Sequence, residues 1–140
     1  MTKEADRILD ELGALVRALS RASGGPDDLL LTGTQRLALY ELGRGGALRL
    51  VDLAVLLGVT APTASRAVDA LAAHGLVQRQ PDPDDRRAQR IALTPAGRAR
   101  FDERNERVAA AFGPAARSLS REEREQLSGL LARLRTELSA

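Results

Sequence analysis

The sequence predicts a mainly α (α+β) fold, on three observations. Aromatic residues make up only 2% of the chain while hydrophobic residues reach 44%, so the core is built from Leu, Val and Ala, side chains that let helices pack closely. Apolar positions recur at steps of three and four along most of the chain, the period of amphipathic helices. Only between Val77 and Leu93 does the period shift toward two, the mark of strands. At 140 residues with 29% charged groups, the chain is expected to form a single domain, residues 1–140.

Each element follows from local chemistry. Ile8, Leu12, Leu15, Val16 and Leu19 lay one apolar stripe along a first helix of about five turns, ending near Gly24-Gly25-Pro26. Thr32, with Gln35 three positions on, has the form of a capping box and opens a second helix, which Arg44-Gly45-Gly46 stops. Leu50 to Leu57 is a short third helix, closed by Gly58 as a left-handed cap. Thr60 or Ala61 caps the fourth, Pro62 suits its first turn, and Ala64, Val68 and Leu71 face inward until His74-Gly75 ends it. Val77 and Arg79, then Ile91 and Leu93, form a β-hairpin around a tip rich in Pro, Asp and Arg. Thr94 caps a fifth helix with Pro95 at its first position; Phe101, Val108 and Phe112 should point inward before Gly113-Pro114 disturbs it. Ser120 to Glu123 repeats the capping box, and Leu127, Leu130, Leu131, Leu134 and Leu138 stripe the last helix.

Several function classes are excluded or disfavoured. Without Cys there is no disulfide, no thiol redox switch and no thiolate metal site. The charged stretch Met1 to Leu12 lacks a signal peptide's apolar core, and no apolar run approaches the roughly 20 residues that span a bilayer. A cytoplasmic location is expected. The lone His74 sits at a helix C-terminus, where a partly positive imidazole suits the dipole. With no nucleophile elbow and no glycine-rich phosphate loop, an enzyme is not expected, nor a cofactor. Asp82, Asp84 and Asp85 lack the spacing of a calcium loop and read as hairpin structure, not as a metal site.

Two short helices joined by a glycine turn and followed by a hairpin are the parts of a winged helix-turn-helix, here residues 30–95. Between Thr60 and Arg100 there are seven Arg against four Asp, a local excess of +3 beside +2 for the whole chain. A major groove about 12 Å wide admits a helix whose leading outward residues are small or polar. Thr60, Ala61, Pro62, Thr63, Ser65 and Arg66 meet that requirement, with Thr63 and Ser65 placed for phosphates and Arg66 for a phosphate or a guanine. Arg86 and Arg87 stand at the hairpin tip, where an Arg gains from the negative potential of a narrow minor groove. The same fold also serves as a protein-interaction module without DNA binding; the basic tip favours double-stranded DNA.

The ordered set Leu53-Ala54, Gly58, Ser65-Arg66, Leu71, Gly75-Leu76-Val77, Arg79, Asp85-Arg86-Arg87 and Leu93-Thr94-Pro95-Ala96-Gly97 resembles the MarR family of transcriptional regulators across essentially the whole chain. The resemblance implies that the helix from Ala61 is the recognition helix, that Arg87 enters the minor groove, that Asp85 orients it, and that Arg79 meets the DNA backbone. It also implies a small aromatic or phenolic ligand, for which Arg17, Arg36 and Tyr40 are candidates, although a residue like Tyr40 is more often part of the core and both Arg are more often surface groups. Two departures stand out. Arg49 and Val51 lie where a capping Ser or Thr is usual at the third helix, and Ala64 fills an inward site often held by a branched residue, which suggests looser packing beneath the recognition helix.

Two amphipathic segments, 1–24 and 96–140, lie outside the winged module and call for a partner. Leu12, Val16, Leu19, Leu127, Leu130, Leu131, Leu134 and Leu138 are therefore expected in a homodimer interface. A two-fold dimer sets its recognition helices about 34 Å apart, one DNA turn, matching the palindromic operator of a repressor.

Overall fold

The computed structural model describes residues 2–24 and 31–140. Among these, the elements run α1 (Lys3–Ser23), α2 (Gly33–Gly45), β1 (Leu48–Arg49), α3 (Leu50–Leu57), α4 (Ala61–Ala73), β2 (Val77–Pro81), β3 (Gln89–Leu93), α5 (Pro95–Ala116) and α6 (Arg121–Ser139). Of the expected break after α1, Gly25 and Pro26 lie outside the described residues, as does position 30, where the winged module was expected to begin.

Chain contacts divide the molecule into two compact units, one of residues 24–105 and one of residues 1–23 with 106–140. In the first, β1, β3 and β2 form an antiparallel sheet in that order, with Leu48 opposite Ile91 and Val77 opposite Leu93. Ile91 on the central strand is wholly buried and joins Leu31, Leu39, Leu42, Leu53, Val68, Leu71, Leu76 and Val77 in one core. Pro81 closes β2, an edge strand, where its missing N–H breaks no ladder. Strand β1 has no period to announce it, being two residues long.

The helix ends obey their caps. Thr32 and Ser120 both complete capping boxes, with Gln35 and Glu123 respectively. Thr60 Oγ1 accepts the Thr63 N–H, and Gly58 adopts φ 67°, which suits a residue without Cβ. Helices α3 and α4 bend by 103° at that turn, within the range of a helix-turn-helix. Ala64 and Val68 are fully enclosed, so the smaller side chain at 64 leaves no opening to solvent beneath α4.

A close approach fixes the start of α5. Thr94 donates its N–H to Leu76 O at 3.0 Å and its hydroxyl to Gly75 O at 2.6 Å, while the same oxygen accepts the Gly97 N–H. The backbones come so near that a Cβ at Gly97 would stand 2.0 Å from Leu76 O. One turn on, Phe101 lies over Gly43 of α2, where a Cβ would meet the ring at 2.2 Å. These contacts carry the first turns of α5 into the winged unit. Composition places the division at Pro95; packing places it between Asn105 and Glu106.

The second unit holds α1, the rest of α5 and α6. Arg107 Nε donates to Ser23 O at 3.0 Å, placing a cation at the C-terminus of α1. Arg124 donates to Ala116 O and Leu119 O, securing the turn into α6. Two expectations for α5 are corrected. The helix continues past Gly113-Pro114 to Ala116, because a proline so near the C-terminus removes one intrahelical bond and the following turn closes through Arg117 N–H to Gly113 O. Phe112 is 41% exposed and does not point into a core; Val108 is half-buried.

Because the neighbour at Gly97 is backbone and cannot swing aside, Gly97→Ala should lower unfolding stability by about 1–3 kcal/mol despite alanine's better helix propensity. Urea denaturation followed by circular dichroism checks this; an unchanged midpoint would contradict the close packing.

Candidate nucleic-acid interface

Helix α4 buries Ala64, Ala67, Val68 and Leu71, so the intervening positions of its first turns face outward. Thr60, Ala61, Pro62 and Arg66 are exposed, and Thr63 and Ser65 half-exposed. Their polar groups form a chain: Thr60 Oγ1 donates to Thr63 Oγ1 at 3.0 Å, and Arg66 Nη2 donates to the same Thr63 oxygen at 3.3 Å. The Arg66 guanidinium is thus laid along the face that carries Thr63. The sequence-expected residues of the recognition helix share one solvent-facing surface.

The hairpin is tied to that helix by Arg79. Its Nη2 reaches from β2 to Asp69 Oδ1 at 2.9 Å and Ser65 Oγ at 3.3 Å. Arg79 was expected to meet a DNA backbone. In this structure one nitrogen holds the protein together, and the planar fork keeps further donors for a phosphate.

At the hairpin tip Arg86 and Arg87 are exposed. Asp85 acts on Arg87 differently from the expectation. Its Oδ1 accepts the Arg87 backbone N–H at 2.9 Å, the short-range bond typical of Asp in a turn, so it shapes the loop from which Arg87 projects and does not grip the guanidinium. Asp82 N–H donates to Ala88 O, and Ala88 N–H to Asp85 O, both at 3.1 Å, closing the loop on itself.

Asp82 anchors this loop. Its side chain is fully buried; Oδ2 accepts from Arg49 Nε at 2.5 Å and from Arg90 Nε at 3.3 Å, and Oδ1 accepts the Asp84 N–H at 2.8 Å. Arg90 also pairs with Asp84 at 3.6 Å. The Arg49 hydrogen bond and that from the Asp84 backbone hold the Asp82 carboxyl down to about 2 against the pull of burial, and the bond to Asp82 in turn raises the Arg49 guanidinium above its ordinary value. Asp82 and Asp84 therefore serve as hairpin structure. Sequence reasoning missed Arg49 and Arg90 as members of this network. The one signal was Arg49 itself, a long cation where a short capping hydroxyl is usual.

The ligand candidates fall in different units. Arg36 and Tyr40 sit one turn apart on α2, whereas Arg17 is on α1 in the other unit. Tyr40 is 36% exposed, tilted against Phe101 with centroids 6.1 Å apart. Its hydroxyl accepts from Arg44 at 2.9 Å, a partner the sequence did not suggest.

Comparison with known proteins agrees with this geometry. A model of the MarR family matches residues 31–88. The chain is 30% identical over 129 residues to YybA, an uncharacterised HTH-type transcriptional regulator of Bacillus subtilis (strain 168), covering 91% of this chain and 86% of that one. A MarR-like transcriptional regulator of Thermotoga maritima superposes with a TM-score of 0.77 at 26% identity, over 100% and 99% of the two chains. BpsR of Bordetella bronchiseptica, whose DNA binding is regulated by 6-hydroxynicotinic acid, superposes with a TM-score of 0.72 at 26% identity, over 94% and 93%.

The anchor carries its own pH signature. Since folding depresses the Asp82 carboxyl from 3.8 to about 2, its stabilisation is present above the ordinary value and is lost as the pH falls through that window. Thermal melts from pH 5 down to about pH 2 should show Asp82→Asn less stable at neutral pH and its difference from the parent protein shrinking on acidification. A constant difference would show that the carboxylate charge is not what holds the hairpin.

Proposed function

The chain belongs to the MarR family of DNA-binding transcriptional regulators, which are not enzymes, and on that premise we propose that it is a homodimeric repressor of a palindromic operator, released by a small aromatic or phenolic anion. The observation that carries the reading is the coupling of two exposed basic elements in one unit: the Thr63 and Arg66 face of α4, and the hairpin bearing Arg86 and Arg87, joined through Arg79 to Ser65 and Asp69. A helix of this polarity suits the major groove, and an Arg on a protruding wing suits the minor groove beside it. In this assignment Thr60, Ala61, Pro62, Thr63, Ser65 and Arg66 approach bases and phosphates, Arg79 a phosphate, and Arg87 the minor groove, on a loop shaped by Asp85.

Dimerisation is supported by the second unit. Leu12, Leu127, Leu130, Leu131 and Leu134, with Ile8 and Leu15, line an open apolar groove of about 990 Å³ between α1 and α6. Val16 and Leu138 are exposed beside them, at 62% and 88%. Contiguous apolar surface of this kind marks an interface, and burying it in a two-fold partner would present two recognition helices to successive turns of one duplex face. Leu19, half-buried in α1, continues the helical stripe four positions after Leu15.

Control by a ligand has a parallel in BpsR, whose DNA binding is regulated by 6-hydroxynicotinic acid. Arg36 and Tyr40 on α2 and Arg17 on α1 are the groups of suitable chemistry, cations for a carboxylate or phenolate and a ring for stacking. Selection of bound duplexes from a random pool tests the main reading: recovery of an inverted repeat with half-sites about one turn apart supports it, and failure to enrich any duplex at low salt counts against it.

Two substitutions separate the parts. Arg87→Ala should lower operator affinity about tenfold or more and reduce the slope of log K against log salt by about one, with an unchanged melting curve; equal affinity would remove the wing from the interface. Leu131→Glu should dissociate or unfold the dimer, and sedimentation that still shows a folded dimer would exclude α6 from the contact.

A further inference from the structure

Arg49 is the residue before α3, a position from which a Ser or Thr hydroxyl ordinarily accepts an orphan N–H of the first turn. No side-chain bond caps that turn here. The guanidinium is directed instead to the buried carboxylate of Asp82, at the base of the hairpin tip. In the β1–β3 register Arg49 stands directly across from Arg90, and like charges in that arrangement repel. The Asp82 carboxylate accepts from both. Because β1 is two residues long, its ladder contributes few bonds, and the ion pair adds a tie between the start of α3 and the hairpin base, beside the one Arg79 makes to α4.

We propose that Arg49 is a positioning residue for the wing: by joining the start of α3 to the base of the tip loop it fixes where Arg87 projects, without contacting DNA itself. The proposal rests on the DNA-binding reading above. Its physical content is pre-organisation. A loop already closed through Asp82, Asp85 and Ala88 loses little freedom when it enters a groove, whereas a loosened one must be ordered at the expense of affinity. Without Arg49, Asp82 retains Arg90 and the Asp84 N–H, so the fold survives while β1 and the hairpin base come apart.

The test compares Arg49→Ala and Arg49→Lys with the parent protein in two measurements. Amide hydrogen exchange in the free protein reads the tip: the Arg87 and Ala88 amides, both bonded within the loop, should exchange about tenfold faster in Arg49→Ala and at an intermediate rate in Arg49→Lys. Titration with a random-sequence duplex pool over a salt series reads the contact: affinity should fall about tenfold with the salt slope unchanged, because the charge removed faces a carboxylate and not a phosphate. Unchanged exchange, unchanged affinity, or a slope reduced by about one, the sign of a lost phosphate contact, would each overturn the proposal. If the parent protein binds no duplex, the DNA-binding reading fails by itself, and the exchange rates still decide whether Arg49 holds the tip. If Arg49→Ala does not fold, Arg49→Lys, which keeps the charge but loses the planar fork, carries both comparisons.

Discussion

One buried carboxylate anchors the base of the hairpin tip to the rest of its unit. Asp82 lies under the tip loop with its oxygens shared among two guanidiniums and a backbone N–H. A buried ion whose lone pairs are satisfied offsets through those bonds the desolvation cost that an unpaired one would bear in full. The arrangement gathers residues far apart in the chain, Arg49 before α3 and Arg90 on β3, around a single point. The orientation of the exposed Arg86 and Arg87 depends on that point, since their loop closes back on Asp82 through Ala88.

Small residues provide the second constraint. With few aromatic side chains, the winged unit gains density by bringing backbones together. Gly97 lies against the Leu76 carbonyl, Gly43 receives the Phe101 ring, and Ala38, Ala64 and Ala67 are buried between helices. Such contacts tolerate no added methylene. They pack α4, the sheet and the start of α5 together, so the polar face of α4 and the hairpin keep a common frame. Arg79, bonded across to Ser65 and Asp69, ties the same two elements at the surface.

The other unit follows a different logic. Its helices are well capped, by Ser120 and Glu123 at α6 and by Arg107 at the end of α1, yet α6 has no buried residue. Its leucines stay between 39% and 88% exposed. The apolar stripe is a property of the sequence, and among the described residues it stays open on the surface of this unit.

Local order was legible because its causes are local. Capping boxes at Thr32 and Ser120, the left-handed Gly58, the inward spacing of Ala64, Val68 and Leu71, and the change of period at Val77 each act over a few residues, and each stands where the sequence put it. The outward set from Thr60 to Arg66 and the tip from Asp85 to Arg87 followed from the same spacing. What only the tertiary structure decided was pairing across distance. Strand β1 has too few residues for any period. Asp82 read as hairpin structure, but its partners Arg49 and Arg90 were not visible in the spacing; Asp85 turned to the Arg87 backbone, and Arg79 to Asp69. A charged side chain on a long stem reaches partners that sequence spacing does not encode, so charge and position along the chain determine that a bond will form, and only the fold determines with whom.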